Sequence, residues 1–136
     1  MDIITKIKQL NLPLNEVIVV GSAILSVKGI RESNDIDLLV SESVFNELKK
    51  RGWKSKIVDH GKNPKEMLSD DLFEAGKEFW QGETVADFMS NPDMTEMVDG
   101  VLFMSLKELV RIKKIWKREN DLKDLILIEN YLKTHE

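Results

Sequence analysis

The chain has 136 residues, of which 42% are hydrophobic and 32% are charged, and its formal net charge is −4. These values are typical of one globular unit, so we predict a single domain over residues 1–136. The absence of cysteine excludes disulfides and thiolate metal sites, and two isolated histidines argue against a zinc centre. The acidic balance argues against binding to extended nucleic acid.

No apolar run approaches the roughly 20 residues that a membrane helix needs. The first residues also lack the basic-then-apolar order of a signal peptide. We therefore expect a cytoplasmic protein without a membrane partner.

Hydrophobic periodicity and turn residues predict alternating helices and strands in the first half of the chain. We predict a helix over 2–10, a strand over 16–20, a helix over 22–28, a strand over 34–40, a helix over 43–51 and a strand over 53–58. Gly29 and Gly52 are predicted to end the helices that precede them.

The second half carries a weaker periodic signal. Residues 59–70 are predicted as a loop, residues 72–79 are ambiguous, and residues 98–104 are predicted as one strand. Ser105 is predicted to cap the next helix, with Glu108 completing a capping box. A last helix is predicted over about 119–133.

Two short segments at the ends of the first two strands indicate a nucleotide and metal site. Gly21 and Ser22 end the first strand, and Asp35 and Asp37 lie one residue apart on the second. Alternate residues of a strand share a face, so the two carboxylates are expected side by side. Such carboxylates repel each other unless a cation lies between them, and Mg²⁺ prefers carboxylates together with substrate phosphates. A structural turn would explain Gly21 and Ser22 alone, and a solvated strand end would explain the two aspartates alone. The presence of both segments at this spacing favours a functional site.

The pattern of Gly21-Ser22, twelve intervening residues and Asp35-Ile36-Asp37 resembles the DNA polymerase beta-like nucleotidyltransferase superfamily. Residues 105–113 and 118–126 are similar to the helical end of its small, single-domain members, which include antitoxin-like proteins. The resemblance implies an α+β fold with a small mixed β-sheet, helices mainly on one face and a helical C-terminal end. It also favours a strand over 72–79.

The resemblance implies that the protein transfers an NMP group to a hydroxyl of a small molecule or protein, using two Mg²⁺ ions held by the paired aspartates. ATP is the favoured donor, so the transferred group would be AMP. The alternative is a non-catalytic nucleotide-binding or antitoxin-type interaction module whose partner is a helical toxin. The acceptor stays unknown at this stage, and the chain has no room for a template-reading domain.

Asp35 and Asp37 are the predicted metal ligands and catalytic residues, and Gly21 and Ser22 are the predicted phosphate contacts. Similar enzymes use a third acid as metal ligand or base. We predict Glu74 for this role, and Asp87 and Asp59 remain the alternatives.

Two basic residues are also candidate triphosphate contacts. Arg31 either contacts phosphate or forms an ion pair with Asp35 or Glu32. Lys113 either contacts the triphosphate or lies on a solvated helix face. Asp121 and Asp124 are predicted to be structural because acidic residues are favourable near a helix start.

Overall fold

The computed structural model describes residues 2–33, 35–59 and 64–135. Over these ranges the chain has a mixed α/β fold with seven strands and six α-helices. The helices are α1 (Ile3–Lys8), α2 (Ala23–Val27), α3 (Glu42–Lys50), α4 (Val85–Met89), α5 (Leu106–Trp116) and α6 (Glu119–Thr134). The strands are β1 (Val17–Val20), β2 (Ile36–Val40), β3 (Lys54–Asp59), β4 (Pro64–Asp70), β5 (Phe73–Gly76), β6 (Thr95–Val98) and β7 (Val101–Met104).

The strands form one sheet in the order β3-β4-β5-β2-β1-β7-β6. Strand β1 runs antiparallel to β2 and parallel to β7, while β2 runs parallel to β5. All four residues of β1 are buried, so both faces of the sheet are covered at its centre. The predicted α+β class, with its mixed sheet and helical C-terminal end, is confirmed.

The helix ends follow the predicted signals closely. Helices α2 and α3 end before Gly29 and Gly52, as predicted. Helix α5 begins where the Ser105 hydroxyl accepts a hydrogen bond from the Glu108 N–H at 3.1 Å. The other half of the predicted capping box is wrong, because the Glu108 carboxylate binds Arg111 while the Ser105 N–H donates to the Met94 carbonyl.

The single strand predicted over 98–104 is wrong, because the chain turns there and forms the hairpin of β6 and β7. Val98 lies opposite Val101, and the two residues between them have φ angles of +49° (Asp99) and +84° (Gly100). An Asp-Gly pair is well suited to a two-residue turn with positive φ at both positions. The sequence therefore contained the signal that divides this segment.

The loop predicted over 59–70 is also wrong in part, because residues 64–70 form β4. Residues 60–63 lie outside the described part of the chain. Only Leu68 of β4 is buried, so the strand shows no alternation of polar and apolar residues. Proline at the first position of a strand is tolerated because no ladder hydrogen bond is lost there.

No helix within the described ranges is both long and apolar enough to cross a membrane.

Candidate active site

The turn after β1 lies directly against an aspartate of β2. Val20 is opposite Asp37 in the antiparallel register of β1 and β2. Gly21 follows with φ +74°, and a Cβ atom built on it would lie 3.2 Å from Oδ2 of Asp37. Any other residue here would be strained and would crowd the carboxylate. The two halves of the sequence pattern therefore meet in space.

Ser22 occupies the N-cap position of α2, but its side chain makes no capping hydrogen bond. The helix is held instead by its apolar side, since Ala23, Ile24 and Leu25 are all buried. The Ser22 hydroxyl is thus not required for the start of the helix. Its predicted phosphate contact stays a prediction.

Three acidic residues lie at the start of β2 or on the neighbouring strand β5. Asp35 is exposed and immediately precedes the strand, while Asp37 is half-buried within it. Glu74 of β5 lies directly opposite Asp37 in the parallel register, so both side chains are on the same face of the sheet. Burial, followed by the charges of Glu74 and Asp35, raises the pKa of Asp37 from 3.8 to about 6.

The donor set is suited to Mg²⁺ because carboxylate oxygens are its preferred protein ligands, and a divalent cation would relieve the repulsion around Asp37. The described residues nevertheless contain no group of three His, Cys, Asp or Glu side chains placed to hold a metal ion. Oε1 of Glu74 lies 3.2 Å from Nζ of Lys56 on β3. Glu74 is therefore beside Asp37 in register while its carboxylate forms an ion pair with Lys56.

The two alternative third acids lie elsewhere. Asp87 is in the first turn of α4, where it forms a capping box with Thr84. Asp59 ends β3 and is opposite Pro64, and the sheet order places β4 and β5 between its strand and β2. Of the three acids considered, Glu74 alone is in register with Asp37.

Arg31 lies in the connection between α2 and β2, and its predicted ion-pair partners were wrong. Its guanidinium makes two hydrogen bonds to the carboxylate of Asp124 on α6, at 2.6 and 2.9 Å. Its third contact is a hydrogen bond to the Glu32 backbone carbonyl at 2.9 Å. The Asp124 carboxylate raises the pKa of Arg31. A contact between Arg31 and phosphate stays a prediction.

Lys113 is buried, so the alternative that it lies on a solvated helix face is wrong, while its contact with the triphosphate stays a prediction. Its ammonium group lies 3.1 Å from Asp121 and 2.9 Å from Asp124. Burial opposes ionisation of Asp121, but hydrogen bonds from Arg118 and Lys113 prevail and lower its pKa to about 2. The predicted structural role of Asp121 agrees with its place in the capping box of α6.

The mixed sheet and its helices match a nucleotidyltransferase-like fold. No protein-family model matches the chain, and no curated protein has significant sequence similarity to it. Among solved structures, the chain is similar to an aminoglycoside nucleotidyltransferase, described as "Crystal Structure of ANT(2")-Ia in complex with adenylyl-2"-tobramycin". The TM-score is 0.52 at 15% identity, and the match covers 96% of this chain and 86% of that one. At this identity the likeness shows the fold.

Proposed function

We propose that the protein is a metal-dependent nucleotidyltransferase that transfers AMP from ATP, or NMP from another nucleoside triphosphate, to a hydroxyl of a small molecule or protein. The observation that carries this proposal is the contact geometry of Gly21 with Asp37, with Glu74 in register beside them. It combines an open backbone turn with adjacent carboxylates, which is what a complex of triphosphate and Mg²⁺ requires.

In this proposal Asp35, Asp37 and Glu74 would hold two Mg²⁺ ions. The bound ions would neutralise the charge that develops on the phosphate oxygens. Gly21 leaves space for the triphosphate next to Asp37, since it has no side chain. The Ser22 hydroxyl, which does not cap α2, would donate a hydrogen bond to a phosphate oxygen.

Glu74 is proposed as a metal ligand or as the base for the acceptor hydroxyl. Its ion pair with Lys56 joins two side chains that are each about half exposed. Exposed pairs of this kind contribute little to stability, so the Glu74 carboxylate can exchange Lys56 for another cation at small cost. This exchange would give the site its third acid.

The test is titration calorimetry of ATP in the presence and absence of Mg²⁺, followed by transfer from ATP labelled at the α-phosphate. Asp37→Asn should abolish Mg²⁺-dependent binding because it removes the half-buried carboxylate charge while keeping the shape. Asp70→Asn is the matched control, since Asp70 is an exposed acid at the end of β4. Equal Mg²⁺–ATP affinity in wild type and Asp37→Asn would refute the site.

A second candidate function is the non-catalytic interaction module that binds a helical toxin. Its support is a pair of exposed apolar side chains one helical turn apart on α6, Leu122 at 49% and Ile126 at 62% exposure. Exposed apolar residues on one helix can pack against a partner helix. If the chain is such a module, Ile126→Lys should remove binding of the partner helix. If it is an enzyme, Ile126→Lys should leave ATP transfer intact and Asp37→Asn should abolish it.

A further inference from the structure

Five charged side chains connect the loop before β2 with both C-terminal helices. Arg31 belongs to the loop, Lys113 to α5, Arg118 to the junction of the helices, and Asp121 and Asp124 to α6. Each acid is bound by Lys113 and by one arginine. The sequence pattern of residues 118, 121 and 124 is thereby explained as part of one network.

Asp124 is the member that joins the helices to the loop. One oxygen accepts from Nε of Arg31 at 2.6 Å, and the other is 2.9 Å from both Nη2 of Arg31 and Nζ of Lys113. The side chains of Asp124 and Lys113 are only 5% and 4% exposed. Water therefore competes poorly for these contacts, and a two-point contact between arginine and carboxylate fixes orientation as well as distance.

The same guanidinium continues the connection toward the candidate metal ligands. Nη1 of Arg31 donates to the Glu32 carbonyl, and the Ser33 hydroxyl donates to the Asp35 carbonyl at 3.2 Å. Asp124 is thus linked through Arg31 to the Glu32 carbonyl, in the segment that leads to Asp35. A shift of α6 would be transmitted to this segment.

We propose that Asp124 is a positioning residue that acts through Arg31 to hold the loop that delivers Asp35 and Asp37 to the site. The proposal rests on the proposed function. It makes the C-terminal helices part of the catalytic unit without assigning them a contact with substrate. Lys113 has the supporting role of fixing the Asp124 carboxylate from the other side.

Asp121 is a matched control on the same helix. It is as deeply buried as Asp124 and shares the Lys113 ammonium, but its arginine partner is Arg118, at 2.7 Å. Replacing either acid with asparagine therefore removes one buried carboxylate from Lys113. Only the change at position 124 releases Arg31.

The first experiment measures hydrogen exchange of the free protein. The Ile30 amide, which donates to the Leu25 carbonyl at 2.8 Å, reports on the loop. Asp124→Asn should speed its exchange roughly 10- to 150-fold, the equivalent of one lost hydrogen bond to a charged group. Asp121→Asn should leave it within about twofold of its value in the wild type after correction for global stability. Equal acceleration in both variants, or none in either, would overturn the proposal.

Arg31→Met provides a second route if Asp124→Asn does not fold, because Arg31 is about one-third exposed. It should accelerate the same amide, and Arg31→Lys should restore part of the protection. If Arg31→Met leaves the exchange rate unchanged, the proposal is wrong.

The second experiment measures kcat and KM for ATP in the transfer reaction, with an acceptor that the labelled-ATP experiment has shown to be modified. Asp124→Asn and Arg31→Met should lower kcat by a similar factor, and the double variant should be no worse than either single one. Asp121→Asn should retain kcat at temperatures where it is folded. Additive losses would contradict action through Arg31. A wild type that binds no Mg²⁺–ATP would instead refute the proposed function, while the exchange measurement would still decide whether Asp124 holds the loop.

Discussion

Asp37→Asn should stabilise the protein at neutral pH and not in acid. Burial and the charges of Glu74 and Asp35 raise the pKa of Asp37 from 3.8 to about 6. A shift of about two pKa units corresponds to roughly 3 kcal/mol, as an upper value, of unfavourable free energy when the group is ionised. Asparagine keeps the shape of the side chain and removes this cost.

The sign and the pH range follow from the order of deprotonation. Below pH 3.8 Asp37 is protonated in the folded and unfolded states, so the variant and wild type should be equally stable. Between pH 3.8 and about 6 the unfolded state loses its proton first, and the wild type loses stability relative to the variant. Above this range the full difference should persist. At pH 7.5 it would raise the melting temperature by roughly 10 °C for a chain of this size.

Urea unfolding followed by tryptophan fluorescence at several pH values between 4 and 7.5 measures the difference directly. The pKa values of Asp121 and Asp124 are lowered, so protonation of these carboxylates in acid destabilises the wild type and the variant alike. This loss of stability cancels in the difference between the two proteins. Asp70→Asn should show no comparable gain, and Mg²⁺ should stabilise the wild type but not the variant. A gain that is the same at pH 4 and pH 7.5, or absent at pH 7.5, would refute the assignment of Asp37 as a buried, repelled carboxylate.

Three further predictions concern the turn, the base and the buried ammonium. Gly21→Ala should lower the free energy of unfolding by about 1–2 kcal/mol and abolish Mg²⁺–ATP binding. Gly29 has a similar φ of +72°, but a Cβ atom added there would have no atom within 4 Å, so Gly29→Ala should destabilise the protein comparably and still bind Mg²⁺–ATP. If calorimetry finds that both variants bind Mg²⁺–ATP, the argument that a side chain at position 21 crowds Asp37 is wrong. If Glu74 is the base rather than a metal ligand, Glu74→Gln should retain Mg²⁺–ATP binding and lower the transfer rate by roughly 10²–10⁴-fold, and retained transfer would exclude Glu74 as the base. Lys113→Met should lower the free energy of unfolding in urea by about 3–5 kcal/mol because it leaves two buried carboxylates without one of their cationic partners. Lys107→Met, the matched change in an exposed ion pair, should lower it by less than about 1 kcal/mol. Equal losses in the two variants would show that the buried network is not stabilising.

The start of the candidate site could be predicted from sequence because its signals are local. Gly21 directly follows β1 and Asp37 lies on β2, and these two strands are consecutive in the chain and neighbours in the sheet. Consecutive elements are usually adjacent in space, so a pattern that spans both can be recognised from sequence. Glu74 was harder, since its place beside Asp37 depends on a parallel strand pairing that periodicity does not report. The resemblance to a known superfamily, rather than the residue pattern, indicated that strand.

Other features were beyond local reasoning for physical reasons. The partner of Arg31 is 93 residues away in the sequence, and nothing in the pattern around Arg31 identifies Asp124. Lys113 follows the polar spacing of a helix surface and is buried because α6 covers it. Strand β4 was missed because Leu68 is its only buried residue and the strand shows no alternation of polar and apolar side chains, whereas the turn at Asp99 and Gly100 was missed although its signal was present.

The long separation between Arg31 and Asp124 also has a consequence for synthesis of the chain. The loop and β2 are made early, but their tie to α6 cannot form until 93 further residues have been added. At translation rates of roughly 5–20 residues per second, about 5–20 s pass between synthesis of the loop that contains Arg31 and synthesis of Asp124. The nascent chain should therefore acquire a complete site only when α6 leaves the ribosome, and a chain that ends before α6 should leave the loop without this support.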